Sequence, residues 1–141
     1  MTKLASKIGA NYSRYADDLT ISGTNEICDF LSSFYNIVKQ EGFNINYRKT
    51  RIQHKNYRQD VTGIIVNGKY PKVKKEYKNK LRQEIYYCKK YGVYNHLKQI
   101  GCMEKANFKE YIYGKAYYIL MVEREIGENF LKELDKLDWN M

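Results

Sequence analysis

The hydrophobic pattern changes period along this chain. Residues 11–22, NYSRYADDLTIS, place β-branched and aromatic positions on both sides of Asp17 and Asp18, predicting two short strands with the acids near the turn. From Ile27 the period lengthens. Ile27, Phe30, Leu31, Phe34, Ile37 and Val38 recur at three- and four-residue spacing, which predicts an amphipathic helix. Thr24 or Asn25 can cap its start, and Gly42 stops it at the C′ position. Beyond Phe43, FNINYRKTRIQ alternates loosely, and DVTGIIVNGK predicts a strand ending in a turn at Asn67 and Gly68. Pro71, the only proline, marks a boundary.

After Pro71 the period is helical. Tyr77, Leu81, Ile85 and Cys88 share one face up to Gly92, and a shorter helix covers Val93 to Ile100, ending near Gly101. Asn107, with Glu110 three residues on, resembles a capping box for a helix with the stripe Phe108, Tyr111, Ile112, Ala116, Ile119 and Val122. Phe130, Leu131, Leu134 and Leu137 predict a last short helix. The fold class expected is α+β, with a mixed part over 1–70 and an all-helical part over 71–141.

Composition narrows the class of partner. The chain has 141 residues, 43% of them apolar, enough for one domain or a piece of one with a modest core. Its net charge of +9 favours polyanionic partners. Between Lys69 and Lys98 ten Lys or Arg stand against only Glu76 and Glu84. Such a run can be a solvated helix face. It can also track a phosphate backbone, with Lys74, Lys75, Lys78 and Arg82 as RNA-binding cations and Tyr86, Tyr87, Tyr91 and Tyr94 interleaved to pack or stack.

Cys28, Cys88 and Cys102 are scattered, odd in number and without CxxC spacing, which argues against a zinc site or a disulfide framework and for a reducing compartment. His54 and His96 are isolated. No stretch resembles a signal peptide and no apolar run approaches membrane-spanning length, so a soluble, cytoplasmic protein with no membrane partner is expected.

The adjacent acids carry the chemistry. Like charges a few ångströms apart repel unless a cation sits between them. Hard divalent ions such as Mg²⁺ take carboxylate oxygens together with substrate phosphates. A bare Asp-Asp pair is otherwise an ordinary acidic turn. The context here is more specific: Tyr15-Ala16-Asp17-Asp18 looks like the YxDD box of reverse transcriptases, and YSRYADDLTISG resembles the bacterial retron and group II intron-like lineage. GFNINYRKT, residues 42–50, resembles the block that closes the palm in that family. VTGIIVN, residues 61–67, resembles the VTG block near the palm–thumb junction, and YGKAYY, residues 113–118, more weakly resembles a thumb helix.

The resemblance implies a right-hand polymerase: a YADD β-hairpin and helix of the palm over 1–70, a small β element, and a helical thumb bundle over 71–141. It implies RNA-directed DNA polymerase chemistry with Mg²⁺ as cofactor. Asp17 would be the principal metal ligand, with Asp18 beside it. Neighbouring side chains on a strand point to opposite faces, so the two cannot serve one ion equally. Tyr15 and Ala16 would lie along the primer terminus, and Lys49 would approach the incoming triphosphate as stabilising charge or general acid. Val61, Thr62 and Gly63 would help recognise a structured non-coding RNA, which serves with its cDNA as template and primer; otherwise they are a plain buried strand with a bulge at Gly63. The family also implies a part in defence against phage.

One departure bears on activity. The family's palm has an earlier aspartate well upstream of the YxDD box that holds both metals, and Met1 to Ala10 contain no acid. Glu26, Asp29 and Asp60 are placed by no motif to replace it. The expectation is a C-terminal portion, inactive alone, that works with an N-terminal reverse transcriptase polypeptide supplying fingers and the first aspartate. The alternatives are a non-catalytic RNA-binding module and a truncated, inactive fragment.

Overall fold

The stretch around the paired acids folds as an antiparallel hairpin. In the computed structural model, which describes residues 1–101 and 107–139, β1 (Asn11–Tyr15) pairs with β2 (Asp18–Ser22) in a register running from Asn11↔Ser22 to Tyr15↔Asp18. Ala16 and Asp17 are left as a two-residue turn. Cys102 lies outside the described residues. A short helix that periodicity did not reveal, α1 (Thr2–Lys7), precedes the hairpin and lies against β1. Six residues span too few turns for an apolar stripe to register.

The stripe beginning at Ile27 is helical, though not one helix. Asn25–Phe30 winds as a 3-10 segment and only Leu31–Gln40 is α-helical (α2), with Phe34 buried. Thr24 stands at the N-cap of that segment and its side chain makes no capping hydrogen bond, while the Asn25 side chain lies outside the described part. The predicted stop is made in full. Gly42 takes φ +82, its N–H donates to the Lys39 carbonyl (3.0 Å), and the Phe43 N–H donates to the Val38 carbonyl (3.2 Å). This is the paired closure that a left-handed glycine at C′ permits.

The strands predicted beyond Phe43 are largely absent. Residues 43–59 form turns and irregular chain instead of the alternating strand. Apparent alternation in FNIN was misleading because its asparagines favour local turn bonding over a ladder. The continuous strand predicted at 60–69 is broken: β3 (Asp60–Val61) and β4 (Ile64–Ile65) flank a turn in which Thr62 and Gly63 have φ of +46 and +89. Gln53 fixes the start of β3, its amide oxygen accepting the Asp60 N–H (2.5 Å) and its amide nitrogen donating to the Asp60 carbonyl (3.1 Å). Asn67 and Gly68 fall in a six-residue connection, not a tight turn. Past Pro71, β5 (Lys72–Val73) returns antiparallel to β4, with Ile64↔Val73 and Ile65↔Lys72.

The chain divides into two compact units, Met1–Thr62 and Gly63–Met141. Helices of the second follow the predicted stripes closely: α3 (Lys75–Tyr91), α4 (Val93–Gln99), α5 (Phe108–Val122) and α6 (Arg124–Leu134). Leu81, Ile85, Cys88, Val93, Leu97, Phe108, Ile112, Ala116, Ile119, Phe130, Leu134 and Leu137 join Val73 in one core. Tyr111, assigned to the α5 stripe, is exposed. The Asn107 side chain caps nothing, so the capping box does not form.

Two features lock this unit. Glu123, between α5 and α6, accepts the Val73 N–H (2.9 Å) and the Lys78 ammonium (2.7 and 3.0 Å), tying β5 and α3 to that corner. At Gly127 the backbone of α6 meets Leu120 of α5 so closely that a Cβ there would lie 2.6 Å from the Leu120 Cβ. The described part thus has the α+β character expected.

Candidate functional site

The hairpin turn is built so that its acids face water. Tyr15, Ala16, Asp17 and Asp18 are all exposed, Tyr15 at 74%. Ala16 holds φ +50, the region glycine favours in two-residue hairpin turns. For an alanine that conformation costs about 1–2 kcal/mol. Among the described residues, no hydrogen bond or ion pair neutralises Asp17 or Asp18. Asp18 heads β2, while Asp17 sits in the turn itself, so the strand-alternation argument for their unequal roles does not apply. Their difference is one of turn against strand end.

Among the described residues, no three His, Cys, Asp or Glu side chains gather as a metal cage. The donor set on the turn nonetheless suits a hard divalent ion: two adjacent, solvent-facing carboxylates with no internal cation, able to give one or two ligands and leave the rest to water, phosphate or other groups.

Lys49 lies in the same unit, on the loop that follows α2. It is exposed, and no hydrogen bond, ion pair or ring contact joins it to the Asp17–Asp18 turn. Its backbone is held locally: the Lys49 and Thr50 N–H groups donate to the Asn46 carbonyl (3.0 and 3.2 Å), and the Arg48 N–H donates to Asn46 Oδ1 (3.2 Å). The next ring, Tyr47, stands edge-on to Tyr35 of α2 at 5.3 Å, with the Lys39 ammonium over it at 5.8 Å. Sequence reasoning included Asn46 and Tyr47 in the GFNINYRKT block but gave neither a role. Asparagine three residues before Lys49 was an available turn signal.

Val61 and Gly63 are half-buried and Thr62 is exposed on the turn between β3 and β4. A bulge in a buried strand was the plain alternative; the segment is instead a turn with two positive φ values. Thr62, being β-branched, is uncommon there.

In the helical unit the four candidate cations have different surroundings. Lys75 is exposed and Lys74 half-buried at the start of α3. The Lys78 ammonium is committed to Glu123, with 16% of its side chain exposed. Arg82 donates to Asn79 Oδ1 (2.7 Å) and lies 5.7 Å over the Phe130 ring. Further along α3, the Lys90 ammonium sits 5.7 Å from the Tyr86 ring and 5.1 Å from that of Tyr91. Tyr86, Tyr91 and Tyr94 are exposed, whereas Tyr87 turns inward toward His96. A shallow groove of about 300 Å³ runs between Asn79, Arg82, Gln83, Tyr86 and Tyr87.

His96 is buried, with Nε2 2.6 Å from Glu84 Oε2. Burial and the neighbouring Glu84 push the Cys88 thiol up to about 11. Both are core groups rather than surface chemistry. Cys28, by contrast, is an exposed free thiol. Among the described residues no helix is long and apolar enough to cross a membrane.

No protein-family model matches the chain. It is similar to the retron Mx162 reverse transcriptase of Myxococcus xanthus, with 31% identity over 98% of this chain and 30% of that protein. The retron Mx65 reverse transcriptase of the same organism is 46% identical over 45% of this chain and 16% of its own length. The retron Ec86 reverse transcriptase of Escherichia coli is 28% identical over 92% of this chain and 37% of its own length. The chain therefore spans about a third or less of the curated relatives it matches.

Proposed function

The chain belongs by sequence with the retron reverse transcriptases, and from that premise we propose that it forms the C-terminal palm and thumb portion of an RNA-directed DNA polymerase. Residues 1–70 would close the palm and 71–141 would form the thumb. The fingers and a further palm aspartate come from outside these 141 residues. The carrying observation is the YADD hairpin: two carboxylates on a tight, solvent-facing turn, with no cation of the described residues answering them.

In this reading Asp17 and Asp18 would hold Mg²⁺, which when bound would supply charge stabilisation for phosphoryl transfer. Tyr15 and Ala16 flank the primer end, and the exposed turn with its small Ala16 leaves backbone room for it. Lys49 answers the charge of the incoming triphosphate. The Val61–Thr62–Gly63 turn, Lys74 at the N-cap of α3, and Lys75 and Arg82 on that helix hold the structured RNA and its cDNA. Lys78, already paired with Glu123, contributes least.

The test is reconstitution. Mixing this chain with a fingers-bearing retron polypeptide and its RNA should give Mg²⁺-dependent cDNA synthesis. Asp17→Asn should lower it by about a hundredfold or more, the scale on which losing one preorganised electrostatic group acts. Synthesis unchanged by Asp17→Asn removes the site assignment.

A second reading is favoured by the Lys90–Tyr86–Tyr91 face and its groove: a non-catalytic RNA-binding module. Salt-dependent RNA affinity with no cDNA from any fingers-bearing partner would support it.

A further inference from the structure

Lys49 is carried on a turn built by its neighbours. The Asn46 carbonyl accepts the Lys49 N–H, the Thr50 N–H and the Thr50 hydroxyl (3.0, 3.2 and 3.3 Å), while its side-chain oxygen accepts the Arg48 N–H. The backbone carbonyl thus holds 49 and 50 as in any such turn, and the asparagine side chain adds the bond that fixes 48. Tyr47 then fastens that turn to α2 by its edge-on contact with Tyr35 and by lying under Lys39. Both anchors are solvent-facing: Tyr47 is 54% exposed and Asn46 is exposed too, so neither ring nor amide serves a core. A flexible lysine on an open loop would hold its ammonium in many places, and ordering it at the moment of binding costs rotamer freedom.

We infer that Asn46 and Tyr47 are positioning residues that preorganise Lys49 toward a nucleoside triphosphate. The inference rests on the triphosphate role proposed for Lys49, and it adds a mount for that role. Asn46 sets the turn from within, by an Asx-type bond. Tyr47 sets where the turn sits relative to α2.

The test uses the reconstituted polymerase and reads KM for the incoming nucleotide apart from kcat. Lys49→Ala should raise that KM. Asn46→Ala should raise it about fivefold, the factor commanded by one hydrogen bond of ordinary net strength. Tyr47→Ala should act similarly, since an aromatic pair is worth a comparable amount. Asn46→Ser, which keeps a neutral acceptor, and Tyr47→Phe, which keeps the ring, should stay near wild type. Combined with Lys49→Ala, neither alanine should add a further loss, because each acts only through the lysine. Additive losses, or wild-type KM in both alanine variants beside a raised KM in Lys49→Ala, overturn the mount alone. An unchanged KM in Lys49→Ala itself overturns the triphosphate role first, and the mount's purpose with it. An Arg48 amide that exchanges with solvent no more slowly in the wild-type chain than in Asn46→Ala would overturn the Asx-type mount independently of any catalysis.

Discussion

Gly127 offers a substitution in which two physical effects oppose each other and the structure says which wins. By helix propensity alone, Gly127→Ala should stabilise α6, by up to about 1 kcal/mol. The added methyl, however, would stand 2.6 Å from the Leu120 Cβ and closer still to the Leu120 backbone nitrogen and Cα. Carbon atoms rest at about 3.5–4.0 Å, so the two helices must part by about 1 Å or more. No side-chain rotation relieves a clash with backbone. Parting α5 from α6 also loosens the contacts of Ile112, Ala116, Ile119, Phe130 and Leu134, all buried in one core.

Overpacking of this kind costs about 1–3 kcal/mol, and a backbone clash belongs at the upper end. Net of the propensity gain, Gly127→Ala should destabilise by about 2 kcal/mol. For a unit of this size that lowers Tm by about 8 °C or more. Gly114 on α5 is the control: nothing lies within 4 Å of a Cβ there, so Gly114→Ala should raise stability by up to about 1 kcal/mol. Urea unfolding of the 141-residue chain, followed by far-UV circular dichroism, measures both. A Gly127→Ala midpoint at or above that of wild type refutes the close approach of the two helices.

Glu123→Gln keeps an acceptor for the Val73 N–H but strips Lys78 of its counter-charge, and should cost about 1–2 kcal/mol, less than breaking a fully buried pair; adding Lys78→Met should recover most of it, and a strictly additive double mutant would count against the pair. Thr62→Asn, placing a residue that tolerates left-handed backbone at φ +46, should stabilise by about 1 kcal/mol in the same unfolding assay; a lower midpoint argues against that turn. Hydrogen bonds from Lys136 and then Lys89 hold the Glu133 carboxyl down at about 2, below its ordinary 4.5. Because its folded value is the depressed one, its contribution is present above about pH 4.5 and fades as pH falls toward 2. Glu133→Gln should therefore flatten the acid side of the Tm-against-pH curve at low salt, and high salt should erase the difference between the two proteins.

Legibility followed the range of the interactions. The helices from Ile27 onward and the glycine stop at Gly42 were readable, because periodicity and C′ chemistry are local. The failures were local signals outvoted by other local bonding. The FNIN segment alternates like a strand yet turns on Asn46, and Thr62 reads as a strand former although it occupies a left-handed turn. Asn107 has the spacing of a capping box and makes no cap. An interaction across a long separation left no trace in sequence: Glu123 reaches Val73 fifty residues away. The close approach of Gly127 to Leu120 depends on how α5 and α6 meet at their corner, which no periodicity encodes. In the site, the motif located the acids and the turn. It did not reveal that, among the described residues, no hydrogen bond or ion pair joins Lys49 to that turn, nor that the turn carrying Lys49 is bonded to Asn46 and packed through Tyr47.

The two units differ in how well they support what they carry. The helical unit closes around one continuous core, whereas the unit bearing the acids buries only Ala5, Ala10 and Phe34 among its apolar residues. Leu19 beside the acids, Phe43 and Ile52 remain exposed at 40%, 63% and 55%. A two-stranded hairpin with so little beneath it is marginal by itself, since independent sheets need more strands or a packed face. Under the proposed reading, three deficits share one remedy. Further palm strands would cover Leu19, a further aspartate would complete the metal site, and the ion would then offset the repulsion between Asp17 and Asp18. Ordering of the hairpin, burial of its apolar edge and Mg²⁺ binding should therefore appear together, on association with the fingers-bearing part. A hairpin that bound Mg²⁺ tightly without that part would break this coupling, because two exposed carboxylates give too few ligands for a tight site.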